Sequence, residues 1–112
     1  ARAGREVHVE VPFALRLETG ASAPGIAAVE RPTVLHGVID LAYAARDGWR
    51  ILDYKTDRLE GLADVDTELR RRYGAQLGQY TFAWQRVAGE PVNGALFSVR
   101  GMRLVSVPGR PD

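Results

Sequence analysis

From Val7 to Leu17 every odd position is apolar: Val7, Val9, Val11, Phe13, Leu15 and Leu17. A period of two over that length commits the segment to a strand with one face on a core, since a helix would scatter these residues around its axis. Pro12 removes a backbone donor from the middle of it, which points to a sheet edge or a bulge. Farther along, the period changes. Leu69, Tyr73, Leu77, Tyr80, Trp84 and Val87 recur at steps of four and three, the spacing of one helix face, so residues 64–87 read as a long amphipathic helix. Asp64, Asp66 and Glu68 stand at its start, where the helix dipole favours acids, and Gly89 and Pro91 end it.

Around these two segments the pattern predicts strands at 33–44, 49–56, 94–99 and 102–107. Residues 19–32, rich in Gly, Ala, Ser and Pro, read as a loop, residues 58–63 as a linker, and 108–112 as a frayed tail. The order β, β, β, α, β, β describes one α+β domain over residues 1–112: a mixed, mostly antiparallel sheet with the long helix on one face. Strand order is not contained in the pattern.

The composition narrows the chemistry. No apolar run approaches the roughly 18 residues that a membrane-crossing helix needs, and the expected location is the cytoplasm. With no cysteine, disulfides and thiolate zinc sites are excluded, so any metal must be held by oxygen or imidazole. A net charge of +1 lacks the basic excess of a stand-alone nucleic-acid binder, so a chain of this kind that handles DNA needs affinity supplied from elsewhere. Fourteen of the fifteen basic residues are arginine and the single lysine is Lys55. A position that keeps lysine against such a bias is one that needs a compact ammonium.

Asp53 and Lys55 are two apart in a strand and share a face, while Tyr54 points away. If residues 45–48 (Ala-Arg-Asp-Gly) form a four-residue loop, Ala44 pairs with Trp49 and Asp40 falls opposite Asp53. A two-residue Asp-Gly turn would instead set Lys55 opposite Asp40. Opposed acids in a ladder repel, and Val38, Ile39, Leu41, Ile51 and Leu52 around them would limit their solvation. A divalent cation between the two carboxylates removes the difficulty, and oxygen donors with water suit Mg²⁺ or Mn²⁺. Such a pair with a neighbouring ammonium points to phosphodiester hydrolysis. The bland alternative is a surface ion pair of Asp53 with Lys55 or an arginine, and Asp-x-Lys alone is a weak signal.

The segments His36-Gly37-Val38-Ile39-Asp40, Ile51-Leu52-Asp53-Tyr54-Lys55-Thr56-Asp57 and Tyr73-Gly74-Ala75-Gln76-Leu77-Gly78-Gln79-Tyr80 give G-x-I-D, D-Y-K-T and Q-x-x-x-Y in order. This arrangement resembles the RecB-like branch of the PD-(D/E)xK nuclease superfamily, and within it the C-terminal nuclease domain of AddA- or RecB-type helicase–nuclease subunits. Glu10-Val11-Pro12-Phe13 is similar to the E-x-P-F segment ahead of those motifs. The resemblance implies a restriction-endonuclease-like fold. It also implies Asp40, Asp53 and the Tyr54 backbone carbonyl as metal ligands, Lys55 as the catalytic lysine, and Gln76 and Tyr80 as contacts to DNA.

Bottom-up, Gln76 and Tyr80 share a helix face, and core packing explains Tyr80 equally. Glu10 is a possible accessory acid or a solvated one. His36, on the face of Asp40 but about 13 Å along the strand, is read as structural. Arg70, Arg71 and Arg72 fan around the helix and read as a solvated face rather than a phosphate clamp. The family's upstream helix, with its metal-binding histidine, has no counterpart before the first strand. The chain is thus expected to be a piece of a larger helicase–nuclease polypeptide with a second subunit. The alternative to an active Mg²⁺-dependent DNase is a nuclease fold kept as a DNA-binding or scaffold module.

Overall fold

A computed structural model describes residues 6–107, and the tail at 108–112 lies outside the described residues. The elements are β1 (Val7–Leu17), β2 (Thr33–Ala45), β3 (Gly48–Lys55), α1 (Val65–Ala88), β4 (Val92–Ser98) and β5 (Arg103–Val107). They form one five-stranded sheet in the order β1-β2-β3-β4-β5, with β3 and β4 parallel and every other pair antiparallel. Chain connectivity explains this order. Antiparallel neighbours need only short turns, whereas the parallel β3–β4 step needs a long crossover, which α1 provides. The mixed sheet and single covering helix are the α+β architecture expected from the sequence.

Helix α1 begins one residue later than its first acid, because Asp64 is the N-cap and its carboxylate accepts from the Thr67 amide at 3.1 Å. Gly89, with φ 69°, takes the left-handed conformation that closes the other end and donates to the Gln85 carbonyl at 2.8 Å. The helix lies chiefly over β4 and β5. Leu69, Leu77 and Trp84 are buried against Ile39, Ile51, Leu96 and Val105, and Tyr73 and Tyr80 pack at the margin of this core. Val87 is the exception to the expected face: it is 75% exposed, and Ala88 packs in its place.

Strand β1 lies at the edge, as Pro12 requires. Its even alternation does not run through. Val7 and Val9 are 56% and 65% exposed, while His8 sits against the rings of Trp49 and Trp84 at centroid distances of 5.9 and 5.8 Å. Beyond Glu10 the odd residues turn inward, with Val11 packed on the core and Phe13 edge-on to Tyr80. The pleat therefore changes phase between His8 and Val11, and the cause is local: Glu10 has a positive φ of 50°. Strand β2 changes phase at the same level, since Ile39 and Ala42 are both fully buried three residues apart. The shift also removes His36 from the face that regular alternation would give it; it is exposed and paired with Ala14.

Candidate active site

The hairpin between β2 and β3 turns on Arg46 and Asp47, with Ala45 opposite Gly48 and Ala44 opposite Trp49. The loop is shorter than the four residues expected, but it closes on the register in which position 40 counts opposite position 53. The ladder stops one step before that pair, at Leu41–Leu52. Beyond it, β3 runs on beside β4 to Lys55–Ser98, and the first half of β2 runs beside β1. The sheet forks here, and Asp40 and Asp53 stand at the fork.

The fork leaves the Tyr54 amide without a strand partner on the β2 side, and Asp40 Oδ2 accepts its N–H at 2.9 Å. Asp53 is 5% exposed. Burial, followed by hydrogen bonding to Asp40, raises its carboxyl from 3.8 to about 6 against the opposing pull of Lys55. The two carboxyls therefore stand close together at the fork. Lys55 Nζ lies 3.0 Å from Asp53 Oδ2, yet this buried oxygen has no aligned hydrogen-bond donor. We read the contact as an ion pair by distance rather than a directed hydrogen bond.

A buried carboxylate beside a second carboxylate is a donor set that fits a hard divalent cation. Among the described residues no group of three His, Asp or Glu side chains gathers to hold a metal. The protein therefore offers two carboxylates, and water or backbone oxygen would complete the shell, as Mg²⁺ readily accepts. Glu10 occupies the register position opposite Asp40, where the β1–β2 pairing skips one step. Its side chain is exposed and does not make a third member of the cluster.

Lys55 is held from three sides. Besides Asp53, its ammonium donates to Gln76 Oε1 at 3.0 Å and sits 4.1 Å from the centroid of the Tyr73 ring. Gln76 therefore faces the lysine. Tyr80, its partner on the helix, is half-buried, with its ring 5.4 Å from that of Phe13. Burial and then the charges of Asp53 and Asp40 raise its phenol, so it lies within the field of the pair. The Tyr54 side chain points the other way, is 46% exposed and meets Phe97.

Two residues without a role assigned from the sequence join this network. The Tyr73 hydroxyl donates to both oxygens of Asp57 at 2.8 and 2.7 Å, and Asp57 is also paired with Arg72 at 2.7 Å. The hydroxyl first, and then the guanidinium, hold the Asp57 carboxyl below its usual range. Spacing places both near the site, since Tyr73 precedes Gln76 by three residues on the helix and Asp57 follows Lys55 by two, but it assigns neither a role. The arginine run is engaged within the protein: Arg70 donates to the Ser106 carbonyl, and Arg71 and Arg72 pair with Glu68. An open concavity on the sheet face away from the helix, lined by Tyr43, Leu52, Ala95 and Leu104, contains none of the site residues.

Comparison with known proteins agrees with this geometry. A model of the PD-(D/E)XK nuclease superfamily matches residues 1–110. An ATP-dependent helicase/nuclease subunit from Bacillus licheniformis is 33% identical over 95 residues, covering 80% of this chain and 8% of that protein. The proteins of the same name from Desulfitobacterium hafniense (strain DCB-2) and Oceanobacillus iheyensis are 37% and 34% identical over 90 and 111 residues. Those matches cover 78% and 96% of this chain, and 6% and 9% of the relatives. The chain thus spans less than a tenth of the length of these relatives. Nucleases of this superfamily generally use divalent metal ions, which agrees with the paired carboxylates at the fork. On the extent of the match, and on the mixed sheet with its single covering helix, the chain belongs to the PD-(D/E)XK nuclease superfamily.

Proposed function

We propose that this chain is the Mg²⁺-dependent DNA nuclease domain of an ATP-dependent helicase–nuclease. In this reading it acts as an exodeoxyribonuclease in recombinational repair in the bacterial cytoplasm, and Mn²⁺ can replace Mg²⁺. The observation that carries the reading is the fork. Two carboxyls from diverging strands meet there, one of them raised to about 6 by burial and then by the other, with the chain's single lysine 3.0 Å from it. The names of the relatives support the remainder. They join helicase and nuclease in one polypeptide that is itself called a subunit. The partners proposed are therefore DNA, a helicase motor in the same polypeptide and a second subunit.

In this reading Asp40 and Asp53 hold the ion, with the Tyr54 carbonyl as a further oxygen. When bound, the cation supplies Lewis-acid polarisation of the phosphoryl group and lowers the pKa of a coordinated water. Lys55 places a positive point charge where negative charge develops on the phosphoryl oxygens, or orients the attacking water. Gln76 and Tyr80 line the approach on the helix side, so their contact with the DNA strand is made beside the lysine.

The test is cleavage of labelled single-stranded and duplex DNA in Mg²⁺ or EDTA, alongside a Lys55→Ala variant. Cleavage should require the ion, and kcat should fall by about 10²–10³-fold in the variant. Cleavage that persists in EDTA refutes the metal role, and cleavage undiminished in the variant refutes the role of the lysine.

A further inference from the structure

We propose that Tyr73, held by Asp57, is a positioning residue for the Lys55 ammonium. The inference rests on the reading of Lys55 as catalytic and goes beyond it, since neither Tyr73 nor Asp57 belongs to the acid–acid–lysine set. A lysine head group sits on a flexible four-carbon stem, and an ammonium is a point charge without built-in direction. Attraction to Asp53 at 3.0 Å sets a distance but leaves the rest of the ammonium's surroundings open. The Asp53 charge is also what a bound cation would compete for. Two contacts do not depend on that charge: the Gln76 carbonyl oxygen at 3.0 Å and the face of the Tyr73 ring at 4.1 Å. Both come from one helix face, three residues apart.

The ring is fixed in turn. Its hydroxyl donates to both Asp57 oxygens at 2.8 and 2.7 Å, and Arg72 at 2.7 Å keeps that carboxylate in place. A carboxylate accepting from the phenol draws electron density into the ring, which strengthens the attraction of its face for a cation. The result is a closed circuit: Lys55 to the ring, the ring to Asp57, and Asp57 back through Thr56 to Lys55. A tyrosine serving only as packing at the core margin needs neither a carboxylate on its hydroxyl nor an ammonium on its face.

Lys55 is the sole lysine of the 112-residue sequence, so lysine-selective ¹³C labelling gives one Cε–Hε correlation to follow without metal or DNA. With the ring beneath the ammonium, Hε resonates upfield of free lysine, and Tyr73→Leu returns it to the free position. In the cleavage assay, Tyr73→Leu should lower kcat about 10- to 100-fold by misplacing the ammonium, with KM changed less than about twofold. Tyr73→Phe keeps the ring beneath the ammonium and removes only the hydroxyl's bond to Asp57, so it should lose only about threefold.

A Tyr73→Leu protein with wild-type kcat, in a background where Lys55→Ala abolishes cleavage, overturns the positioning role and leaves the nuclease reading intact. Undiminished cleavage by Lys55→Ala overturns the nuclease reading and with it this inference. Should Tyr73→Leu melt below the assay temperature, the wild-type Hε position decides. An Hε signal at the free-lysine position refutes the stacking.

Discussion

Removing the charge of Asp53 should stabilise the metal-free protein. The carboxyl is 5% exposed and is raised from 3.8 to about 6 in the fold, first by burial and then by Asp40. Because the folded value is the higher one, the site favours the protonated form. Its contribution is therefore lost as pH rises from 3.8 to about 6, and above that the ionised carboxylate weighs against folding. At about 1.4 kcal/mol per pH unit, the difference amounts to a penalty of about 3 kcal/mol near neutrality. By the same linkage it shrinks to about 1 kcal/mol at about pH 4.5, where the folded protein already holds the proton. Asp53→Asn keeps the shape and removes the charge, but it also takes a counter-charge from Lys55. The expected gain is thus about 1–3 kcal/mol at about pH 7.5 in EDTA, shrinking to less than about 1 kcal/mol at about pH 4.5. Urea unfolding of both proteins at the two pH values measures it. Adding Mg²⁺ should then reverse the order by stabilising only the wild type. A gain that is absent at the higher pH, or equal at both, would refute the reasoning that burial and Asp40 crowd this carboxyl.

Two further outcomes follow from the fold. Glu68 is drawn from 4.5 down to about 2, first by its hydrogen bond to Arg71 and then by Arg72. A lowered carboxyl stabilises above its unfolded value and loses that contribution as pH falls from 4.5 towards 2. Glu68→Gln should therefore melt lower at neutral pH, with a gap that closes on acidification and in molar salt; a gap indifferent to both would show that the pairing contributes nothing. Gly94 is where β4 touches the helix, since a Cβ there would come within 2.8 Å of Thr81 Cγ2 and 3.0 Å of Leu77 Cγ. Gly94→Ala should cost about 1–3 kcal/mol by thermal or urea unfolding through overpacking, and an unchanged midpoint would mean that the helix seats less closely.

The sequence carried the elements well because their periods differ. The bounds of β1, and Asp64 and Gly89 as the limits of α1, follow from alternation, capping and breaker chemistry. The phase change in β1 was not legible. Val7 and Val9 keep the odd-position pattern and yet are exposed, because the positive φ at Glu10 falls on a residue type that does not announce one. Strand order was likewise hidden, since a crossover helix permits either neighbour of β3. At the site, counting back from the hairpin gave the right register, with Ala44 opposite Trp49, even though the turn is two residues shorter than supposed; it did not show that the ladder ends at Leu41–Leu52, one step short of positions 40 and 53. Tyr73 was legible only as an apolar residue on the helix stripe. Nothing in a periodicity distinguishes a ring that fills a core from one that also carries an ammonium on its face.

The irregularity and the acids belong together physically. In an unbroken antiparallel ladder, positions 40 and 53 would set two carboxylates against each other with their backbone groups already paired. Opening the ladder after Leu41–Leu52 separates the strands but exposes the Tyr54 N–H, which would carry a desolvation cost if left alone. Asp40 answers that amide at 2.9 Å, so one acid of the pair both replaces the missing strand contact and is oriented by it. The phase changes at Glu10 and in β2 fall at the same level, which lets β1 follow β2 away from β3 while Ile39 and Ala42 both stay buried. A substitution that closed the fork would therefore misdirect Asp40 even with every site residue present. On the function proposed, the acids can meet at one ion because the sheet fails to pair where they stand.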